Sequence, residues 1–187
     1  DYETRGRYHT YPVTPTYAVM LKPREAVTLY ASYIESLEAG SRVGNSYVNA
    51  GDVLDPAISK QYEIGAKVEG ARWNANLAAF RLERGANIDE LTPAGKRLVQ
   101  DGITLYEGIE ASADLHLNDA LTVGGGVTWL DPTYDRPSPA SAAQEGNRTA
   151  GAARWSGVMH ATYQLPWVDG LETYAAVRYY GDVWYDA

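Results

Sequence analysis

Leu121-Thr122-Val123-Gly124-Gly125-Gly126-Val127-Thr128-Trp129 decides the fold class. Leu121, Val123, Gly125, Val127 and Trp129 fall on one side of an extended chain. Thr122, Gly124, Gly126 and Thr128 fall on the other. The preceding segment repeats the pattern, with Ile109, Ala111, Ala113 and Leu115 against Glu110, Ser112, Asp114 and His116. Only Asn118-Asp119 separates the two segments, which reads as a tight turn between antiparallel strands.

Working outward, the same period of two predicts eight strands over 16–22, 26–34, 60–69, 72–83, 104–117, 120–130, 154–165 and 171–181. In 26–34 the apolar face is Val27, Leu29, Ala31 and Tyr33. In 60–69 it is Tyr62, Ile64, Ala66 and Val68, and in 171–181 Leu171, Thr173, Ala175, Val177 and Tyr179. Strand 72–83 leaves two registers open, because Trp73, Ala75, Leu77 and Ala79 compete with Ala78, Phe80 and Leu82. Short connections at 22–25, 69–72, 118–119 and 166–170 alternate with long ones at 35–59, 84–103 and 131–153. In a meander, every second connection lies at the same end. One end is therefore trimmed and the other elaborated, as in a transmembrane β-barrel with short periplasmic turns and long extracellular loops.

Two features favour lipid over a protein core. Several predicted strands approach the length a tilted strand needs to cross a bilayer, beyond the usual strand of soluble sheets. The apolar face is also rich in small residues: Ala31, Ala66, Ala111, Ala113, Gly125, Gly157, Ala161 and Ala175. Two packed sheets fill space poorly with such residues, whereas acyl chains require only an apolar wall. The 15 Tyr and 5 Trp, against a single Phe, suit a wet–apolar boundary. Trp73, Trp129, Trp155, Tyr163, Trp167 and Trp184 fall near predicted strand ends, the pattern of an aromatic girdle.

The 187 residues carry a formal charge of −8 and no cysteine, which argues against a nucleic-acid surface and excludes a disulfide framework or cysteine metal site. No apolar run reaches the roughly 18 residues of a helical span. Gly124-Gly125-Gly126 is no phosphate loop, since no Gly-Lys-Ser/Thr follows. Inside a strand it marks a bulge or a close approach to the wall. His9, His116 and His160 lack metal-ligand spacing, and no nucleophile or paired-carboxylate pattern is present. The chain reads as a non-enzyme without cofactor or metal site.

Several segments resemble the barrel of TonB-dependent siderophore receptors. They are Pro15 to Pro23, Val27 to Tyr33, Leu54 to Lys67, Ala78 to Leu82, Tyr106 to Glu110, Leu121 to Asp131 and Gly170 to Asp182. Ser59-Lys60-Gln61-Tyr62-Glu63, entering a strand after a proline turn, is the most specific. The resemblance implies an outer-membrane barrel of roughly 22 strands with a plugged lumen. It implies import of an iron(III)-siderophore chelate across a Gram-negative outer membrane, with energy from TonB. On that view 1–187 is a partial barrel domain, with the plug, TonB box and final strands absent. Isolated from its barrel it is expected to aggregate, to pair with copies of itself or to repack its apolar face.

Within the long connections Arg42, Tyr47, Tyr134, Arg136 and Arg148 suit capture of a polar chelate. Arginine pairs with anionic oxygens, and tyrosine offers a flat surface with a donor. The expected partners are a ferric siderophore, the TonB complex and outer-membrane lipid. Haem, cobalamin or glycan remain alternatives as cargo. Haem is disfavoured because no histidine lies in 35–59, 84–103 or 131–153. Two other readings stay open: a smaller complete barrel of structural or adhesive role, and a soluble β-sandwich binding module.

Overall fold

The computed structural model describes residues 12–184, so His9 lies outside the described residues. It is all-β apart from a short 3-10 turn, Pro139–Gln144. The strands are β1 (Thr16–Arg24), β2 (Val27–Glu38), β3 (Ala57–Glu69), β4 (Trp73–Thr92), β5 (Gly95–His116), β6 (Leu121–Asp135), β7 (Trp155–Gln164) and β8 (Glu172–Tyr180). They form one antiparallel sheet in sequence order. Among the described residues there is no second sheet to make a sandwich, and β1 does not pair with β8 to close an eight-stranded barrel.

The register settles which residues share a face. Trp73 stands opposite Leu115, Ala75 opposite Ala113, Leu77 opposite Ala111 and Ala79 opposite Ile109. The first of the two competing registers for this strand is therefore the real one. Across the sheet the apolar row continues from Val27 through Val68, Ala75, Ala113, Gly125 and Met159 to Val177. The row is half-buried where neighbouring side chains crowd it and opens toward β8, where Met159 is 76% and Val177 75% exposed. In water such a face would be a liability; against acyl chains it is the expected surface.

Aromatic rings bound this band. Tyr17, Tyr33 and Tyr62 stand in register at its upper edge, with centroids 6.3 and 4.9 Å apart. Trp129 faces Trp155 at the same edge. Trp73 and Tyr163 mark the lower edge, where Tyr163 meets Trp167 edge-on at 6.4 Å. Trp155 and Tyr163 are thus separated along β7 by roughly 27 Å, close to the ~25 Å apolar band of an outer-membrane barrel.

The expected alternation of short and long connections fails at one place. Residues 84–103 are not a long loop. β4 runs on to Thr92 and β5 begins at Gly95, leaving Pro93-Ala94 as the turn. A bulge in β5, where Asp101 and Gly102 stand against the single residue Ala86, shifts the ladder between Gly85 and Asn87. From Arg81, at the height of the Tyr62 ring, to the tip, this hairpin projects roughly 35 Å along the strand. The apolar–polar alternation fades there because neither face meets lipid. Glycine, proline and charged residues then imitate a loop. The long connections that remain are 39–56 and 136–154, both at the end where the hairpin projects.

The polar face of the sheet has its own close contacts. Tyr30 donates to Glu63 at 2.7 Å, with Lys67 lying over the Tyr30 ring. Gly124 lies beneath a contact between Asp114 and His160, and no bulge interrupts β6 there. The close-approach reading of the glycine run therefore holds, and the bulge reading does not.

Candidate functional site: the elaborated mouth

Buried side chains are scarce in this sheet, and they gather at the elaborated end. Val43, Ala86, Ile88, Leu105, Ser59, Thr104, Ser141, Thr149 and Pro132 are buried; among the described residues the other buried ones, Ala78 and Gly108, sit lower in the wall. The two long connections fold back onto the projecting hairpin to make this small core.

Segment 39–56 is fastened by its middle. Asn49 donates its amide to the Leu98 carbonyl at 3.0 Å and accepts from the Leu98 N–H at 3.1 Å. Both backbone groups of Leu98 therefore point away from β4, toward a hairpin edge that β6 does not reach. The asparagine side chain acts as a substitute strand. Val48 N–H extends the pairing to the Lys96 carbonyl at 2.9 Å. Tyr47 donates to Asp89 at 2.9 Å, and Lys96 holds the same carboxylate at 3.1 Å. The bond to Asp89, with lesser help from desolvation and the carboxylate charge, raises the Tyr47 phenol above its ordinary pKa.

Segment 136–154 is fastened at its start. Asp101 accepts from the Ser138 N–H at 3.0 Å and from the Ser138 hydroxyl at 2.9 Å. Hydrogen bonds from Ser141 and from Ser138 hold the Asp101 carboxyl below its ordinary range. Arg136 turns the chain with a left-handed backbone (φ 53°) and pairs with Glu83 at 2.9 Å and Asp135 at 3.2 Å.

Between these segments the polar face forms the inner lining of the mouth. Arg84, Thr104 and Tyr134 stand in one cross-strand row, and Tyr106 lies one position lower on the same face. Arg84 reaches across β3 to Glu38 in a two-pronged pair at 2.7 and 2.8 Å. The hydrogen bond from Arg84 keeps the Glu38 carboxyl below its usual range despite its partial burial. Burial, then the neighbouring Tyr106 and Asp89, push the Tyr134 phenol up.

The five residues singled out from sequence divide accordingly. Tyr47 is bonded to Asp89, and Tyr134 stands on the inner row beside Thr104. Arg42 is exposed on its segment, bridged through its backbone to Val53. Arg136 is engaged by Glu83. Arg148 lies over the Trp184 ring at 5.9 Å, with Nε and Nη2 buried and without hydrogen-bond partners. Glu38, Arg84, Asp89 and Tyr106 belong to the same mouth but escaped sequence reasoning. Their pairing depends on register between strands far apart in the chain. The only sequence signal was their place on the polar side of each strand, extended past the predicted ends. Among the described residues no group of three or more His, Asp or Glu is placed to hold a metal ion.

The Ser59–Glu63 segment is also explained locally. Ser59 is buried and donates to the Ser36 carbonyl at 3.2 Å. Lys60 stands opposite both Glu35 and Glu83. Gln61 donates to Glu63 at 3.1 Å, and Glu63 also takes the Tyr30 hydroxyl, while Tyr62 joins the outer ring row.

Residues 1–187 match the family described as "TonB dependent receptor-like, beta-barrel". The ferrichrome receptor FcuA of Yersinia enterocolitica is 33% identical over 171 residues, covering 89% of this chain and 22% of that protein. The ferrioxamine B receptor of Salmonella typhimurium is 28% identical over 139 residues, covering 71% of this chain and 19% of that protein. Among solved structures, the ferric preacinetobactin receptor BauA of Acinetobacter baumannii shares the fold with a TM-score of 0.65 at 24% identity, covering 88% of this chain and 25% of that one. The chain therefore spans only 22% and 19% of the lengths of these two curated relatives.

Proposed function

This chain belongs to the TonB-dependent receptor β-barrel family, and from that membership we propose that it is a sector of the wall and mouth of a receptor that binds a ferric siderophore and imports it. The family is one of receptors and transporters of the Gram-negative outer membrane, not of enzymes. The whole protein would take energy for release and passage through TonB, and outer-membrane lipid would cover the apolar face.

The observation that carries the reading is the division of the sheet. An apolar band between two aromatic rows gives way at one end only to a packed, polar mouth. A purely structural barrel has no use for so much buried contact among its loops. The siderophore-receptor relatives at 33% and 28% identity point the same way. Within the mouth, Tyr134 on the inner row is the residue best placed to offer a phenolic donor to a chelate, while the Tyr47 hydroxyl is given to Asp89 and Arg42 lies exposed on the covering segment. Arg136 and Arg148 would act through their hold on Glu83 and Trp184.

The test is uptake of radioactive iron, supplied as ferric chelates, by cells producing the full-length receptor. The expectation is accumulation that requires both the receptor and TonB. Equal accumulation without the receptor, for every chelate tried, would remove the import reading.

A further inference from the structure

Arg84 is held by both prongs of its pair with Glu38, and Ser59, on the strand between them, adds a bond to the same carboxylate. The two side chains are 47% and 28% exposed, so the pair contributes little to stability. What it fixes is the plane of the guanidinium. Its two bonds take Nε and Nη2, which leaves Nη1 to one side. Tyr106 is the diagonal neighbour of Arg84 on the lumen-facing side, since Arg84 stands opposite Thr104 and Leu82 opposite Tyr106. Diagonal neighbours lie roughly 7–8 Å apart, within reach of two long side chains. The bond to Glu38 and, after it, the Tyr106 phenol raise the Arg84 guanidinium above its ordinary pKa, against desolvation. On its other side Tyr106 stands opposite Pro132, fully buried, whose ring offers a phenol nothing to bond. Tyr134 lies one position higher on the same face.

Resting on the siderophore reading above, we propose that Arg84 is a positioning residue and that Tyr106 is the ligand-binding residue it serves. The pinned guanidinium offers Nη1 to the Tyr106 oxygen. The Tyr106 hydroxyl proton is thereby aimed into the lumen beside Tyr134, toward the oxygen-rich surface of a ferric chelate. The chemistry is one of exclusion. A guanidinium donates and cannot accept, so a phenol beside it spends a lone pair there and keeps its own proton for another acceptor. A two-pronged carboxylate holds that guanidinium in one orientation. The donor is therefore set before the cargo arrives, which lowers the ordering cost of binding. Arg84 itself does not touch the cargo; its effect passes through Tyr106.

The test is a double-mutant cycle on the purified full-length receptor in detergent, with Trp fluorescence as readout. The probe is the tightest-bound of a panel of ferric chelates headed by ferrichrome and ferrioxamine B, the cargoes for which two relatives are named. Tyr106→Phe removes only the hydroxyl and should weaken binding about fivefold, the worth of one neutral hydrogen bond. Arg84→Gln should weaken it by about as much, and the double variant should be no weaker than either single one, because both lose the same aimed donor. Thermal unfolding of the ligand-free receptor should move little in all three. Losses that multiply in the double variant, or that track a lowered melting temperature, would reduce Arg84 to a tie between strands and overturn the positioning role. Parental affinity in Tyr106→Phe would overturn the whole inference while leaving the receptor reading intact. A folded parent that binds no ferric chelate of the panel overturns both. If Arg84→Gln does not fold, Glu38→Gln takes its place in the cycle with the same non-additivity expected, since it unpins the guanidinium.

Discussion

Asp114 Oδ1 and His160 Nε2 meet at 3.1 Å although they stand on β5 and β7, because the intervening strand places Gly124 in their shared row. A Cβ there would overlap Asp114 Oδ1 and come within 2.7 Å of His160 Nε2. The absence of a side chain lets two wall residues join over a strand. The pair is partly solvated, so its energetic worth is small. Its value is in tying three strands together.

The three consecutive glycines should therefore differ. At Gly126 a Cβ meets nothing closer than 3.4 Å, so Gly126→Ala should be tolerated within about 0.5 kcal/mol or stabilise slightly. At Gly124 the obstacles are side-chain ends that can turn aside, so Gly124→Ala should cost an intermediate amount. At Gly125 the obstacle is the Val158 carbonyl at 2.6 Å, which is backbone. Gly125→Ala should cost about 1–3 kcal/mol as overpacking. Urea unfolding of the full-length receptor in micelles would rank them, and equal values would contradict the geometry.

Lipid-facing and lumen-facing positions should respond oppositely to charge. Leu77 and Thr128 both lie between the aromatic rows, on opposite faces. Leu77→Arg should cost about 2–4 kcal/mol near the bilayer midplane. Thr128→Arg should cost little, because its face is polar. Folding yield into vesicles would separate them, and a larger penalty at Thr128 would reverse the assignment of the two faces.

Asn49→Ala should free the covering segment without unfolding the wall. Two neutral hydrogen bonds to Leu98 are lost, worth about 1–2 kcal/mol together in local opening. Hydrogen exchange at the Leu98 amide should quicken, while exchange in β2 and β3 stays as before. Unchanged protection at Leu98 would show that Asn49 does not hold the segment.

Asp101 makes the second fastening dependent on pH. Its folded-state pKa is lowered by the bonds from Ser141 and Ser138. A lowered carboxyl stabilises the folded form above its unfolded pKa of ~4 and loses that contribution as pH falls through the folded value. Limited proteolysis across 138–146 should thus be slow at pH 7 and faster near pH 3. Asp101→Asn should be cleaved faster than the parent at pH 7, with the difference closing in acid. A gap that persists in acid would mean that another group holds the turn.

Much of the wall was legible before any coordinates. Leu121 to Trp129 meets lipid on one side and a polar interior on the other, and that difference must be written at every second residue. The faces of β2, β3, β5, β6 and β8 followed from it. So did the aromatic boundaries, because rings at a wet–apolar edge sit where strands leave the membrane. Tyr47 and Tyr134 could be named as mouth residues because they fall in the predicted connections, although Tyr134 lies on the extended end of β6.

Beyond the membrane that rule ends. Residues 84–103 form a hairpin held by backbone ladder and a bulge, which needs no alternation, and they read as a loop. The register of β4 was fixed only by its neighbours, since Ala78, Phe80 and Leu82 look as apolar as the outward set. The bond of Arg84 to Glu38 joins residues 46 positions apart, and that of Asn49 to Leu98 joins residues 49 apart. Sequence alone determined which solvent most strand faces meet, because solvent acts on each residue independently. Tertiary structure alone decided which charges are neutralised and which segments are latched, because those depend on distances between strands that the local pattern does not encode.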